Sequence, residues 1–466
     1  MLKGLEVSVI SLAKANKNKD FRADSDFWTK EPKVSPNLNY DKIGNCLLNA
    51  QYGISIEMNE EKKGFPIYRM NEIHNMLCDF EVNKFADITN EELNTFKLND
   101  RDVLFNRTNS FEWVGRTGIY KKIDNRDFVF ASYLVRFVPN QKIILPEYLT
   151  TFLNTKFGIW DIKRRARQSI NQTNVNPEEV KQINIPLLSK AFQLKIKVCF
   201  DNSTRYLIKS QELYKQAEQI LLQELGLLNW QPTIKNNNNK TLKESFLQSG
   251  RFDAEYYQPK YDELLSRITK FDCKIIDKIV NIKKSIEPGS EAYQTEGLPF
   301  IRVADLSKMG ISESNVFLDP NNFNVEELKP RKNTILLSKD GSVGIAYKVE
   351  EDIEGITSGA ILHLTINDKN ILPDYLCLVL NSIIVQLQAE RDAGGSIIQH
   401  WKPDEIKQVI IPVLGDKTQK SISQKIKESF ALQKQSKELL EAAKKAVEMA
   451  IEDGEEKASN YIKQFN

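Results

Sequence analysis

The stretch "KPDEIKQVIIPVL" (Lys402–Leu414) has a near-copy earlier in this chain, "NPEEVKQINIPLL" (Asn176–Leu188). Either copy alone reads as a proline-led helical turn running into a short apolar strand. Two copies about 230 residues apart, half the chain, point to an internal duplication. The neighbouring sequence supports it in matching order. "GFPIYRM" (Gly64–Met70) pairs with "GLPFIRV" (Gly297–Val303), and "NEEL" (Asn90–Leu93) with "VEEL" (Val325–Leu328). "DVLFNRTNSFEWVGRTGIY" (Asp102–Tyr120) pairs with "TILLSKDGSVGIAY" (Thr334–Tyr347), and "LPEYLTTFLNT" (Leu145–Thr155) with "LPDYLCLVLNS" (Leu372–Ser382). An entry segment, "FRADSDFW" (Phe21–Trp28), lines up more weakly with "FDAEYYQP" (Phe252–Pro259). The chain is a tandem repeat of one unit.

Each unit has one grammar. Alternating runs rich in aromatic and β-branched residues predict strands: "FPIYRM", "DVLFN", "GIYKKI" and "FVFASYLVRFV" in the first copy, "GLPFIRV", "NTILLS", "GIAYKV" and "GAILHLTI" in the second. A helix then starts at the Leu-Pro-acidic signal, and a short one at "NPEEVKQ" or "KPDEIKQ". Each unit ends in a long helical pattern. In the first, Tyr206, Leu213, Ala217, Ile220 and Leu227 share a heptad frame, interrupted by Ser210 and Glu224. In the second, Ile426, Phe430, Leu440, Val447 and Ile451 share one, interrupted by Gln433, Lys437 and Lys444. Helices this long need a partner for their apolar stripe, and each unit supplies one, so an antiparallel coiled coil is expected.

Composition narrows the function classes. A chain of 466 residues, 41% hydrophobic and 27% charged, suits several soluble globular domains. The 65 basic and 63 acidic residues nearly cancel, so any polyanion-binding surface must come from local clustering. Five dispersed cysteines without a C-x-x-C pair argue against zinc knuckles and a disulfide framework, and for a reducing cytoplasm. The early apolar run "LEVSVISLA" is too short to span a bilayer, so no membrane association is expected. There is no phosphate loop, no dinucleotide fingerprint, no Asn/Asp-Pro-Pro-aromatic signature and no H-E-x-x-H. His74, His363 and His400 are scattered. The expectation is a binding protein with no catalytic residues, no bound metal and no cofactor of its own.

The repeats differ most in their polar inserts, which is where two readers of different targets would differ. Lys163, Arg164, Arg165 and Arg167 form a basic cluster suited to DNA phosphates. Gln172, Asn174, Gln399 and His400, together with Asn171, are side chains able to read base edges. Arg107, Asn109, Arg116, Ser338, Lys339 and Ser342 flank the hairpin turns. "LLSKDGSVGIAY" resembles a phosphate cradle, but its counterpart inserts Phe111, Glu112 and Trp113, which a backbone cradle could not absorb. Gly115 and Gly344 are therefore the shared turn of a hairpin with a variable tip. Arg69 and Arg302, equivalent in the repeat, are expected to make structural ion pairs.

With "GLPFIRVADL", "LLSKDGSVGIAY", "GGSIIQHWKPDEIKQVIIPVL" and "RFDAEYYQP", the chain resembles, over essentially its whole length, the specificity subunit of type I restriction-modification systems. The resemblance implies an α+β fold with target recognition domains at 1–189 and 247–415. Long helices at 190–230 and 416–466 would act as spacers, with a linker at 231–246. It implies a cytoplasmic, non-catalytic subunit that reads a bipartite double-stranded DNA target. Two methylation subunits carrying S-adenosylmethionine, and restriction subunits using ATP and Mg2+, would be its partners. Two alternatives stay open: the recognition subunit of another methyltransferase-based defence assembly, and a coiled-coil scaffold that binds no DNA.

Overall fold

Ile335–Ser338 and Ile361–Ile366 are built mostly of isoleucine and leucine that face both ways, as central strands require. In the computed structural model they pair antiparallel at the middle of a sheet ordered Val280–Lys284, Ile361–Ile366, Ile335–Ser338, Ala346–Lys348. The structure describes residues 9–16, 22, 24–30, 36–170, 172–235, 237–395 and 398–465. It divides into two units, residues 1–207 with 433–466, and residues 208–432.

The first unit repeats the architecture of the second. Its sheet runs Leu47–Tyr52, Leu134–Pro139, Val103–Asn106, Thr117–Ile119, the same order, extended by Leu77–Cys78 and Ile73–His74. A three-stranded sheet recurs too. Phe65–Tyr68 pairs parallel with Val129–Phe130 and antiparallel with Phe85–Ala86, while Leu298–Ile301 pairs parallel with Ile356–Thr357 and antiparallel with Phe317–Leu318. A closing strand pair joins Tyr40–Lys42 to Asn184–Pro186, and Cys273–Ile275 to Ile410–Pro412.

The duplication extends to single hydrogen bonds. Pro146–Asn154 and Pro373–Asn381 are the proline-led helices, the ring at a position whose N–H has no helical partner. In each, a buried tyrosine donates to the closing strand: Tyr148 to the Pro186 carbonyl (2.5 Å), Tyr375 to that of Pro412 (2.7 Å). One buried glutamine per unit ties a long helix to both ends of this layer. Gln193 accepts from Leu145 N–H (2.7 Å) and donates to Leu188 (2.9 Å); Gln419 accepts from Leu372 N–H (3.0 Å) and donates to Leu414 (2.8 Å). Fully buried amides are retained where every polar atom has a partner.

The long helices span Lys190–Glu224 and Asp416–Asp453. Within the first unit, Ser203 and Ser436 hydroxyls lie 2.8 Å apart, and Ser189 N–H donates to Glu455 (2.7 Å). Within the second, Ser210 and Ser429 hydroxyls lie 3.0 Å apart, and Lys425 donates to Gln216 (2.8 Å). In both units one partner number falls as the other rises, so the segments run antiparallel. Of the expected seam residues, Leu213, Ala217, Ile426, Leu440, Val447 and Ile451 are buried, and Ile220 and Phe430 half-buried. Leu227 is buried, but past the helix end. Phe430 lies one position past the fully buried row. The buried row is Ile422, Ser429, Ser436, Ala443, Ala450. Ser210, read as an interruption, belongs to the packed face, because paired hydroxyls satisfy one another. The last helix does not run to the end of the chain. Gly454, at φ 98°, breaks it before a short helix at Glu455–Ile462.

Three other expectations change. "FVFASYLVRFV" splits into two strands in different sheets, Val129–Phe130 and Leu134–Pro139. The entry segments align two residues earlier than their sequences suggested. Arg22, Asp24, Phe27 and Trp28 match Arg251, Asp253, Tyr256 and Tyr257: each arginine pairs with its aspartate, and Trp28 and Tyr257 donate to the carbonyls of Arg22 and Arg251. The strands Leu47–Tyr52 and Val280–Lys284 went unread, since Asn49, Gln51, Lys283 and Lys284 blur their alternation at a sheet edge. Arg69 and Arg302 do pair as expected, with Glu72 and Asp305 three residues on.

Candidate nucleic-acid interface

Beyond the sheet, the hairpin arm of each unit meets a distal loop. In the first unit Thr108–Asn109 pairs with Thr173–Asn174, which pairs in turn with Arg167–Gln168. In the second, Asp340 bridges His400, and His400 bridges Gly394. The backbone bonds around the junction correspond. Val175 N–H donates to Arg107 (2.9 Å) and Trp401 N–H to Lys339 (2.8 Å). The N–H groups of Arg107 and Lys339 donate to Tyr133 (3.0 Å) and Ala360 (2.8 Å). So the hairpin candidates and the distal-loop candidates, about 60 residues apart in sequence, converge on one three-armed junction per unit.

The shared turn is the predicted one. Gly115 N–H donates to Asn106 (2.8 Å) and Gly344 N–H to Ser338 (2.9 Å). Both glycines sit at positive φ, +92° and +85°. A Cβ on Gly115 would lie 2.6 Å from Ile162 Cγ2, and one on Gly344 would lie 2.9 Å from Gln386 Nε2. The turn is thus pressed against the helix Lys156–Arg165 in one unit and Ile383–Asp392 in the other.

Equivalent positions carry different chemistry. Where the hairpin crosses the distal loop, the first unit has a Thr108 hydroxyl donating to Asn174 Oδ1 (2.6 Å). The second has His400 Nδ1 against Asp340 Oδ1 (2.8 Å). A carboxylate only accepts, so the histidine proton sits on Nδ1 and Nε2 is turned to other partners. Asn174, its oxygen engaged, offers its amide N–H donors. Arg107 lies over the Tyr52 ring (5.2 Å), its Nε buried without a partner among the described residues. Its counterpart Lys339 is ion-paired with Asp340. Arg116 stacks 3.4 Å over Trp113. Asn109 accepts from Ser110 N–H (2.8 Å), and Ser342, Gln172, Gln399 and His400 are exposed.

The basic cluster is mostly not at the surface. Arg164 and Arg165 are each 7% exposed. Asp161 Oδ1 accepts from Arg164 (2.7 Å) and Arg165 (3.0 Å), Arg164 also donates to the Phe27 carbonyl (2.6 Å), and Arg165 to Glu179 (2.7 Å). Lys163 donates to the carbonyls of Phe111, Glu112 (3.1 Å) and Val114 (3.0 Å), stapling the hairpin tip; burial there lowers its pKa to about 8. These three cations are internal fasteners, which corrects the reading of them as phosphate ligands. Arg167 alone of the four is exposed. Ser338 is also corrected. Fully buried, it donates to Ser342 (2.6 Å) and accepts from Ile345 N–H (2.9 Å). Asn171 lies outside the described residues.

Sequence reasoning passed over Tyr52, Tyr133 and Ile170, all exposed around the first junction. The signal was an aromatic or aliphatic residue beside polar loop residues, a weak one, since single exposed apolar side chains are common. None of the five cysteines forms a disulfide, and no described helix is long and apolar enough to cross a membrane.

No protein-family model matches the chain, and no curated protein does. Several solved structures are similar to it. The type I restriction-modification S subunit from M. genitalium is 15% identical, covering 93% of this chain and 98% of its own, at TM-score 0.37. The HsdS subunit from Thermoanaerobacter tengcongensis is 12% identical, covering 91% and 98%, at TM-score 0.30. A chain from a study of complex assembly and conformational transition of the type I system is 12% identical, covering 93% and 99%, at TM-score 0.28.

Proposed function

We propose that this chain is the DNA-specificity subunit of a type I restriction-modification complex. Each β-rich unit reads one half of a split double-stranded target, and the two long helices pair as an antiparallel coiled coil that sets the gap between the halves. The observation that carries this reading is the repeated junction. One backbone frame, held by corresponding hydrogen bonds, presents Arg107 and Asn174 in one unit and Lys339 and His400 in the other. A catalytic duplication would keep its polar groups and vary its frame, whereas paired readers of different sequences keep the frame and vary the polar groups. Donors such as the Asn174 amide suit an adenine or guanine edge, and a ring nitrogen such as His400 Nε2 suits an amino group. Arg167 supplies a phosphate contact that carries no sequence information. The chain does no chemistry itself: methylation subunits with S-adenosylmethionine, and restriction subunits with ATP and Mg2+, act on the DNA it selects.

The test is a binding titration of the chain, assembled with its methylation subunits, against sheared duplex DNA from a strain lacking the system, across a series of salt concentrations. The reading expects log affinity to fall linearly with log salt. No affinity at any ionic strength would leave a scaffold that binds no DNA.

A further inference from the structure

The segment entering each unit makes the same set of contacts twice, and the junction does not account for them. Arg22 holds Asp24 through two bonds (2.8 and 2.9 Å) and donates to the carbonyl of Arg165 (2.9 Å). Arg251 holds Asp253 (2.9 and 2.6 Å) and donates to the carbonyl of Asp392 (3.1 Å). Each arginine also lies over an aromatic ring shared with a second arginine. Arg22 and Arg164 lie 4.7 and 4.2 Å from the Phe27 centroid, and Arg251 and Arg391 lie 4.5 and 5.3 Å from that of Tyr256. The pattern Arg-x-Asp-x-x-aromatic-aromatic is common to Arg22–Trp28 and Arg251–Tyr257.

The carbonyls gripped are those of the last residues of Lys156–Arg165 and Ile383–Asp392. Such carbonyls lack an intrahelical donor and carry the negative end of the helix dipole, so a guanidinium suits them. Two residues later the chain becomes the outer arm of the junction, at Arg167 and at Gly394. We propose that Arg22 and Arg251 are latches: positioning residues that fix where each distal loop leaves its helix and so hold Asn174 and His400 in reading position. Each acts only on its own unit. The aspartate holds the guanidinium fork in the plane needed to reach the carbonyl, a geometry that lysine cannot reproduce.

The role in DNA reading rests on the function proposed above, but the positioning does not, and two readouts separate them. In the full chain, Arg22→Lys should speed amide hydrogen exchange across 166–170 and 172–174 roughly tenfold and leave 393–395 and 398–401 at the parent rate, and Arg251→Lys should do the reverse. Unchanged exchange in the near loop, or equal acceleration throughout a unit, would overturn the latch. Should Arg22→Lys lose cooperative unfolding, Asp24→Asn frees the fork from its other side and is judged by the same two outcomes. In the assembled complex, Arg22→Lys should weaken discrimination at one half-site only. Loosened loops with discrimination intact would keep the latch and sink its link to DNA reading.

Discussion

Arg165→Ala and Arg167→Ala remove arginines two residues apart, and the structure predicts opposite consequences. Arg165 and Glu179 are almost fully buried, and Arg165 donates to the Glu179 carboxylate at 2.7 Å. Deleting Arg165 strands that carboxylate in the interior, which costs about 3–5 kcal/mol. Asp161 is less affected, because Arg164 still gives it two bonds. Against a domain stability of roughly 5–15 kcal/mol, that loss should be plain in urea unfolding followed by fluorescence. Replacing both partners, Arg165→Met with Glu179→Leu, should recover most of it, since a matched apolar pair needs no counter-charge. Arg167 is exposed, so Arg167→Ala should leave stability within about 0.5 kcal/mol of the parent. It should instead lower the slope of log affinity against log salt by roughly 0.9, the share of one phosphate contact. An Arg165→Ala chain that unfolds like the parent while its salt slope falls would refute the assignment of Arg165 as a fastener.

Two further outcomes follow from the same geometry. His363 is buried against Thr357 (2.7 Å), and burial, with Lys283 nearby, lowers its pKa to about 4. The unfolded histidine takes up its proton near pH 6.5, before the folded one, so this contribution is complete above that pH and lost as pH falls from 6.5 through 4. The loss is about 3 kcal/mol, and His363→Gln should flatten that part of a pH series of urea unfolding curves. For the helices, insert seven residues between Ser203 and Ser210 and seven between Ser429 and Ser436. This keeps the seam in register and adds about 10 Å, which should widen the gap in the recognised DNA by about three base pairs, read from the modified sequence. An unchanged gap would mean the helices are not the ruler.

Much of this was legible in the sequence because duplication doubles every signal. The Leu-Pro-acidic helix starts, the central strands and the glycine of the hairpin turn each occur twice, and local rules suffice to read them. What failed shares a physical cause: partners far away in sequence. Arg164 and Arg165 look like a solvent-facing charge run until Asp161 and Glu179 are placed beside them. Ser210 looks like a break in an apolar stripe until its hydroxyl meets that of Ser429. Ser338 looks like a loop tip until its hydroxyl is seen closing the turn from inside. At the junction, residue types were readable and pairings were not. Nothing in the spacing of Thr108 and Asn174, or of Asp340 and His400, announces that they touch.

The central claim is that one chain carries two independent readers. Exchange residues 22–186, the first entry segment through its closing strand, for the corresponding segment of a chain with a different target. Then map every methylated base in the genome of a host carrying the assembled system. The account predicts that one half of the modified sequence changes, while the other half and the gap between them stay as they were. A change in both halves, or in neither, would contradict it.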